Sequence, residues 1–253
     1  MKAWLQRHGE SVIAPVVLAS LYAVLMLTSQ AGRTAEIVAA MFFVAIIGLY
    51  FGVRRLRVHA SASRLAAIGR PDQLLELVAR ELPRRLTAGT RAPIHVFAAM
   101  AHNLLGEFAA ARRSLDDAGI VPGTKALRSW QFLWAVADVH TRTASGDAEG
   151  ARRTYARAIQ PFRGIAVGGV ELMAIEADAR IRLADGKAAE ARELVAPMVK
   201  DIRLGPAARG QLHALISRAA AAAGDDAAAT AHADQARALA PRCALVAVAP
   251  ASP

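Results

Sequence analysis

Two long apolar stretches open the chain, and a mixed pattern of apolar and charged positions with helical spacing follows. No charged residue lies between Glu10 and Arg33, and none lies between Glu36 and Arg54. A bilayer core requires roughly 20 helical residues, with about 17–25 observed. The two uncharged stretches, of 22 and 17 residues, therefore each predict a transmembrane helix.

A signal peptide and a pair of soluble core helices are two other interpretations of this region. Ser29, Gln30 and Ala31 offer small residues at the spacing of a signal-peptidase site, but the stretch exceeds the roughly 7–15 apolar residues of a signal peptide. A pair of buried soluble helices would normally show a polar face. A membrane hairpin over residues 1–58 fits the pattern better.

Positive charges predict how this hairpin is oriented. Lys2 and Arg7 precede it, and Arg33 alone lies in the short loop. The basic residues that follow it are Arg54, Arg55, Arg57 and Arg64. The positive-inside rule places both ends in the cytoplasm, and we expect an integral inner-membrane protein of a bacterium.

A motif recurs through the rest of the chain at intervals of 37, 40, 40 and 38 residues. Its glycines are Gly69, Gly106, Gly146, Gly186 and Gly224. Five residues later come Leu74, Ala111, Ala151, Ala191 and Ala229, and twelve later come Glu81, Ala118, Ala158, Met198 and Ala236. Glycine ends a helix readily, and small residues let two helices approach closely. Such helix pairs must stack on their neighbours to bury their apolar faces.

This spacing resembles the tetratricopeptide (TPR) repeat family, most closely at Gly146 with Ala151, Tyr155 and Ala158. The resemblance covers residues of about 55–242, with a longer period than the usual 34 residues. The predicted fold is all-α: a two-helix transmembrane hairpin, then a TPR-like α-solenoid of about four to five helix pairs over 59–242, then a tail over 243–253. The pairs are expected at 55–68 with 71–86, 91–105 with 107–118, 124–144 with 147–160, 169–185 with 187–203, and 206–223 with 225–239.

The amino-acid composition agrees with a helical fold, and the distribution of charge indicates which class of partner to expect. Hydrophobic residues make up 55% of the chain and aromatic residues 5%, so alanine and leucine dominate, which favours helices over strands. The formal net charge is +10, but both signs are interspersed after residue 58. No basic motif with interleaved aromatic residues is present, so a nucleic-acid partner is not expected.

Residue patterns for catalysis, metal binding or cofactor binding are absent from the sequence. The seven histidines form no metal-ligand motif, Cys243 is the single cysteine, and no phosphate-binding loop or nucleophile elbow occurs. Trp130 and Trp134 are one helical turn apart. They could anchor a peptide, although packing between repeats is the simpler interpretation. We therefore expect no enzyme, no cofactor and no metal.

The TPR resemblance implies a concave groove lined by the first helix of each pair. The residue six positions before the turn glycine commonly faces this groove; here these residues are Ser63, Met100, His140, Arg180 and Arg218. A groove carrying His140, Arg180 and Arg218 would suit an acidic or carboxylate-ended peptide. Ordinary solvated side chains are the alternative.

The expected function is a non-catalytic membrane-anchored adaptor or scaffold, in which a cytoplasmic TPR-like array binds a protein partner. Its layout is similar to that of inner-membrane TPR proteins associated with haem biosynthesis. The alternative is an accessory subunit of a membrane transporter or envelope assembly machine. The expected partners are a protein, with an acidic segment in the first case, and the lipid bilayer.

Overall fold

The computed structural model describes Ser20 and residues 33–84, 88–120, 128–163, 169–201 and 204–244. These residues form ten α-helices and no strand, which confirms the predicted all-α class for the described part of the chain. The helices are α1 (Arg33–Ala67), α2 (Pro71–Glu81), α3 (Ala88–Leu105), α4 (Phe108–Asp117), α5 (Arg128–Ala144), α6 (Ala148–Ala158), α7 (Gly169–Ala184), α8 (Ala188–Val195), α9 (Pro206–Ala222) and α10 (Asp226–Leu239). Short 3₁₀ turns follow α2, α6 and α8.

The chain divides into two compact units, Met1–Ser61 and Ala62–Pro253. In the N-terminal unit, the second apolar stretch is helical within α1. Within the residues that the structure describes, no helix is both long enough and apolar enough to cross a membrane. The first predicted transmembrane helix lies outside the described residues, apart from Ser20.

Glycines separate the helices of the C-terminal unit. At Gly146 the backbone φ is +82°, a conformation that glycine adopts without a Cβ clash. The Gly146 N–H donates to Thr143 O and the Asp147 N–H donates to Arg142 O, the two bonds of a Schellman cap. The Asp147 side chain then accepts from the Gly150 N–H at the start of α6. One turn therefore ends α5 and begins α6.

The helices stack in a regular order. Helices α3, α5, α7 and α9 contact one another in sequence, and each also packs on the helix that follows it. The motif alanines lie in these contacts: Ala111, Ala151, Ala191 and Ala229 are all buried. Because these side chains are small, the backbones of paired helices can approach closely.

The segment that follows α10 also contacts α2 and α3, near the start of the C-terminal unit. Leu104 on α3 packs in one cluster with Ala214, Ala236 and Cys243. Arg242 donates to Asp72 Oδ2 at 2.5 Å. We call these interactions the closing contacts. They bring Cys243, the first residue of the predicted tail, into the core, and they join the two ends of the stack.

Candidate ligand-binding cavity

A cavity of about 280 Å³ lies among the helices of the C-terminal unit. Its wall is formed by the last turn of α1, by α3, α5 and α7, and by the start of α9. Apolar side chains predominate, including Leu133, Val136, Leu172 and Met173. These four residues come from α5 and α7, the first helices of two successive pairs.

His140 on α5 supplies an unpaired polar atom to this wall. The residue is only 7% exposed, and its Nε2 has no hydrogen-bond partner in the described part of the chain. The ring lies beside Phe108, with a centroid separation of 6.2 Å. Burial, together with the charges of Arg180 and Arg218, holds the pKa of His140 well below its ordinary value of 6.5. The imidazole is therefore neutral near pH 7.

Arg180 on α7 is also in the wall and is equally buried, at 7% exposed. Its Nη2 donates to Glu176 Oε1 at 2.7 Å and its Nε donates to the same oxygen at 3.1 Å. A weaker bond of 3.3 Å runs to Gln211 Oε1. Glu176 lies one turn earlier on the same helix, so Arg180 is held and neutralised by a local ion pair.

Arg218 on α9 lies beyond Arg180. Arg180 and Gln211 line both the cavity and a small crevice of about 10 Å³, which Arg218 and Leu215 help to form. Burial and the neighbouring charge of Arg180 lower the pKa of Arg218 from its ordinary value. Among the described residues, Arg218 makes no hydrogen bond or ion pair. Arg180 and Glu176 at this end of the cavity, together with Arg218 in the adjoining crevice, carry a net positive charge.

The structure places four of the five predicted groove positions in the cavity wall: Ser63, Met100, His140 and Arg180. The fifth, Arg218, lines the adjoining crevice. Their proposed role in binding a peptide stays a prediction. Trp130 and Trp134 pack instead with the core: Trp130 lies edge-on to Phe97, and Trp134 Nε1 donates to Leu115 O at 3.1 Å.

Sequence reasoning missed a buried polar network that joins α5 to α4 and α6, with a further bond from α3. Asp138 on α5 is fully buried and accepts from Arg112 at 2.6 Å, from Arg142 at 2.7 Å and from Thr154 at 2.7 Å. Nearby, Asn103 Nδ2 on α3 donates to Ala137 O at 3.0 Å. The available signal was Asp138 itself, an acidic residue on the apolar face of the predicted helix.

Other polar clusters do not assemble a metal site within the described ranges. No group of three or more histidine, cysteine or acidic residues could hold a metal ion there. His102 Nδ1 lies 2.7 Å from Glu107 Oε2, and the Nδ1 atoms of His213 and His232 lie 2.9 Å apart. Each of these is a pair, and neither supplies the three or four protein ligands of a typical zinc site.

No family model, no curated protein and no solved structure matches this chain. The TPR likeness therefore rests on the spacing of the glycine and alanine residues, and the site must be interpreted from its own geometry. That geometry is an apolar cavity with a basic end.

Proposed function

We propose that this protein is a non-catalytic adaptor in which a TPR-like stack of helix pairs binds an acidic segment of a partner protein at Arg180 and Arg218. The single observation that supports the proposal best is Arg218, a half-buried guanidinium with no anionic partner among the described residues. An unpaired cation beside a second arginine favours an incoming carboxylate. The TPR-like arrangement itself is supported by the recurring glycine turns and by the contacts between successive first helices.

The N-terminal unit would attach the adaptor to the bacterial inner membrane, with both chain ends in the cytoplasm. Support comes from the two uncharged stretches and the arginines that follow them. On α1 several large apolar side chains are exposed: Met41, Phe42, Val44, Leu49 and Leu56.

Leu49→Glu should release part of the full chain from membranes washed with carbonate, because a charge in a lipid-facing position is costly. Ala60→Glu, on an exposed face of the same helix, is the control. Equal retention of both variants would argue against lipid contact at Leu49.

Partner binding can be tested by charge reversal at Arg218. The full chain is used to capture partners from the membranes in which it resides, in wild-type, Arg218→Glu and Arg113→Glu forms. Arg113 is an exposed arginine on α4, so its reversal changes the net charge equally without touching the cavity. A partner that is lost only with Arg218→Glu, and whose own acidic segment is required, supports the proposal. A partner that is retained by Arg218→Glu would exclude this site as the docking point.

A further inference from the structure

We infer that the cavity binds a small amphipathic monocarboxylate, of the size of a medium-chain fatty acid, with its carboxylate at the basic end formed by Arg180 and the adjoining Arg218 and its chain along the apolar wall. This inference goes beyond the adaptor proposal and requires no protein partner. It rests on the size of the cavity, on its apolar wall and on the charge balance at one end.

The first observation is the size and chemistry of the cavity, which is partly open to solvent. Ligand pockets are usually about 300–1,000 Å³ and largely apolar, and this cavity has about 280 Å³. A water-sized group occupies about 30 Å³ in a liquid, so the cavity has room for at least about nine such groups. Because most of its lining is apolar, a hydrocarbon chain replaces water there favourably.

The second observation is that the polar groups are concentrated among His140, Glu176, Arg180 and Gln211 in the wall, with Arg218 beyond them. Glu176 neutralises Arg180, which leaves one uncompensated guanidinium, Arg218. A ligand with one negative charge would therefore neutralise the remaining positive charge of Arg218. A second negative charge would lie near Glu176 and be repelled, so a monocarboxylate fits better than a phosphate dianion.

The cavity wall is continuous between its first and last elements. Gly205 at the start of α9 lies against Ala67 at the end of α1: a Cβ on Gly205 would come within 2.6 Å of the Ala67 carbonyl oxygen. The last turn of α1 and the start of α9 therefore form one surface for the hydrocarbon chain.

The test uses the full chain held in amphipol, titrated by calorimetry with octanoate, decanoate and the neutral analogue decanol. Two variants probe the two ends of the ligand. Arg218→Gln removes the cation and is matched by Arg113→Gln; Ala208→Leu fills the cavity and is matched by Ala156→Leu on an exposed face of α6. Circular dichroism of each variant verifies that it is folded.

We expect saturable binding of decanoate that is tighter than that of octanoate and of decanol. Arg218→Gln should weaken decanoate by roughly 10- to 100-fold, the range for a lost hydrogen bond to a charged group. Ala208→Leu should remove saturable binding, and both matched controls should retain it. With carboxyl-¹³C decanoate, the bound resonance should titrate at lower pH than the free acid, because Arg218 favours the ionised form.

Three results would overturn the inference. Decanoate could show no saturable binding to wild-type protein, or binding that Ala208→Leu leaves unchanged. Alternatively, acetyl-trileucine with a free C-terminus could bind while decanoate does not; this would assign the cavity to a polypeptide end. The ligand titrations contain no protein partner. If the charge-reversal experiment captures no partner, the adaptor proposal fails while the ligand proposal is still tested by the titrations.

Discussion

At the scale of single residues, His140 combines burial, a missing hydrogen bond and two nearby positive charges. Arg180 and Arg218 both lower its pKa in addition to the effect of burial. In the unfolded chain the same imidazole has a pKa near 6.5. Below that pH the unfolded state binds a proton that the folded state does not bind, so stability falls as the pH is lowered and levels off above it.

The unfolding free energy should therefore depend on pH, and His140→Gln should reduce that dependence. Between pH 6.5 and 5.5, wild-type protein should lose up to about 1.4 kcal/mol more unfolding free energy than the variant, the limit for one proton over one pH unit. Urea unfolding at pH 8.0, 6.5 and 5.5 measures the difference. The pKa values of His95, His213 and His232 are also lowered, but these residues are common to both proteins. If the unfolding free energies of the two proteins changed equally with pH, folding would not lower the pKa of His140.

At the scale of elements, two features determine how neighbouring helices pack: the glycine turns at the helix ends and the buried carboxylate of Asp138 between the helices. Gly146 occupies its turn with nothing near the position of a Cβ, so a substitution there tests backbone conformation alone. Asp138 binds side chains from α4, α5 and α6 at once. Substitutions at Gly146 and at Asp138 can therefore test the two features independently.

Gly146→Ala should lower the unfolding free energy by about 1–2 kcal/mol, the cost of a left-handed conformation for a residue with a Cβ. Gly89→Ala, in the first turn of α3 and equally free of neighbours, should instead be neutral or stabilising by up to about 1 kcal/mol. Chemical denaturation of the two variants against wild type compares them directly. A stabilising Gly146→Ala would contradict the role of the turn glycines.

Asp138→Asn should cost about 3 kcal/mol, because it leaves Arg112 and Arg142 facing a neutral buried amide. The matched control is Asp116→Asn on the exposed face of α4, with an expected change below about 0.5 kcal/mol. Thermal and urea unfolding of both variants provide the measurement. If Asp138→Asn and Asp116→Asn had similar effects, the network would not be holding the three helices together.

At the scale of the whole C-terminal unit, the closing contacts bury the single cysteine. Burial raises the pKa of Cys243 to about 11, with a smaller contribution from the charge of Asp72. Since the reactive species is the thiolate, the thiol should react slowly until the ends of the stack separate. Labelling of Cys243 therefore reports on the opening of the closing contacts.

Iodoacetamide at pH 8 should label the native protein at least about 100-fold more slowly than the unfolded chain, whose thiol has a pKa near 8.5. Leu104→Ala should speed native-state labelling, because Leu104 packs in the same cluster as Cys243. Leu115→Ala removes an equally buried leucine from a different cluster and should have a smaller effect at equal loss of stability. Mass spectrometry over time gives the rates. Equal acceleration by both variants would mean that Cys243 is exposed only by global unfolding.

Much of the helical layout could be predicted from local signals. Helix ends followed from glycines such as Gly146, since a turn glycine acts within a few residues of the backbone. The Glu176–Arg180 pair was also visible as an i, i+4 spacing, although Arg180 was expected to face an incoming carboxylate as a free cation. The closing contacts could not be foreseen, because Leu104 and Cys243 are far apart in sequence and carry no pattern that marks them as neighbours.

The meeting of Asp72 with Arg242 has a consequence for how the chain can change over generations. An array whose two ends are apart can gain or lose one motif of about 40 residues and remain stable, because each copy depends only on its neighbours. Here an added or deleted motif would move the two ends apart and break the contact between Leu104 and Cys243. Related sequences should therefore differ by substitutions within each motif and should keep the same number of motifs.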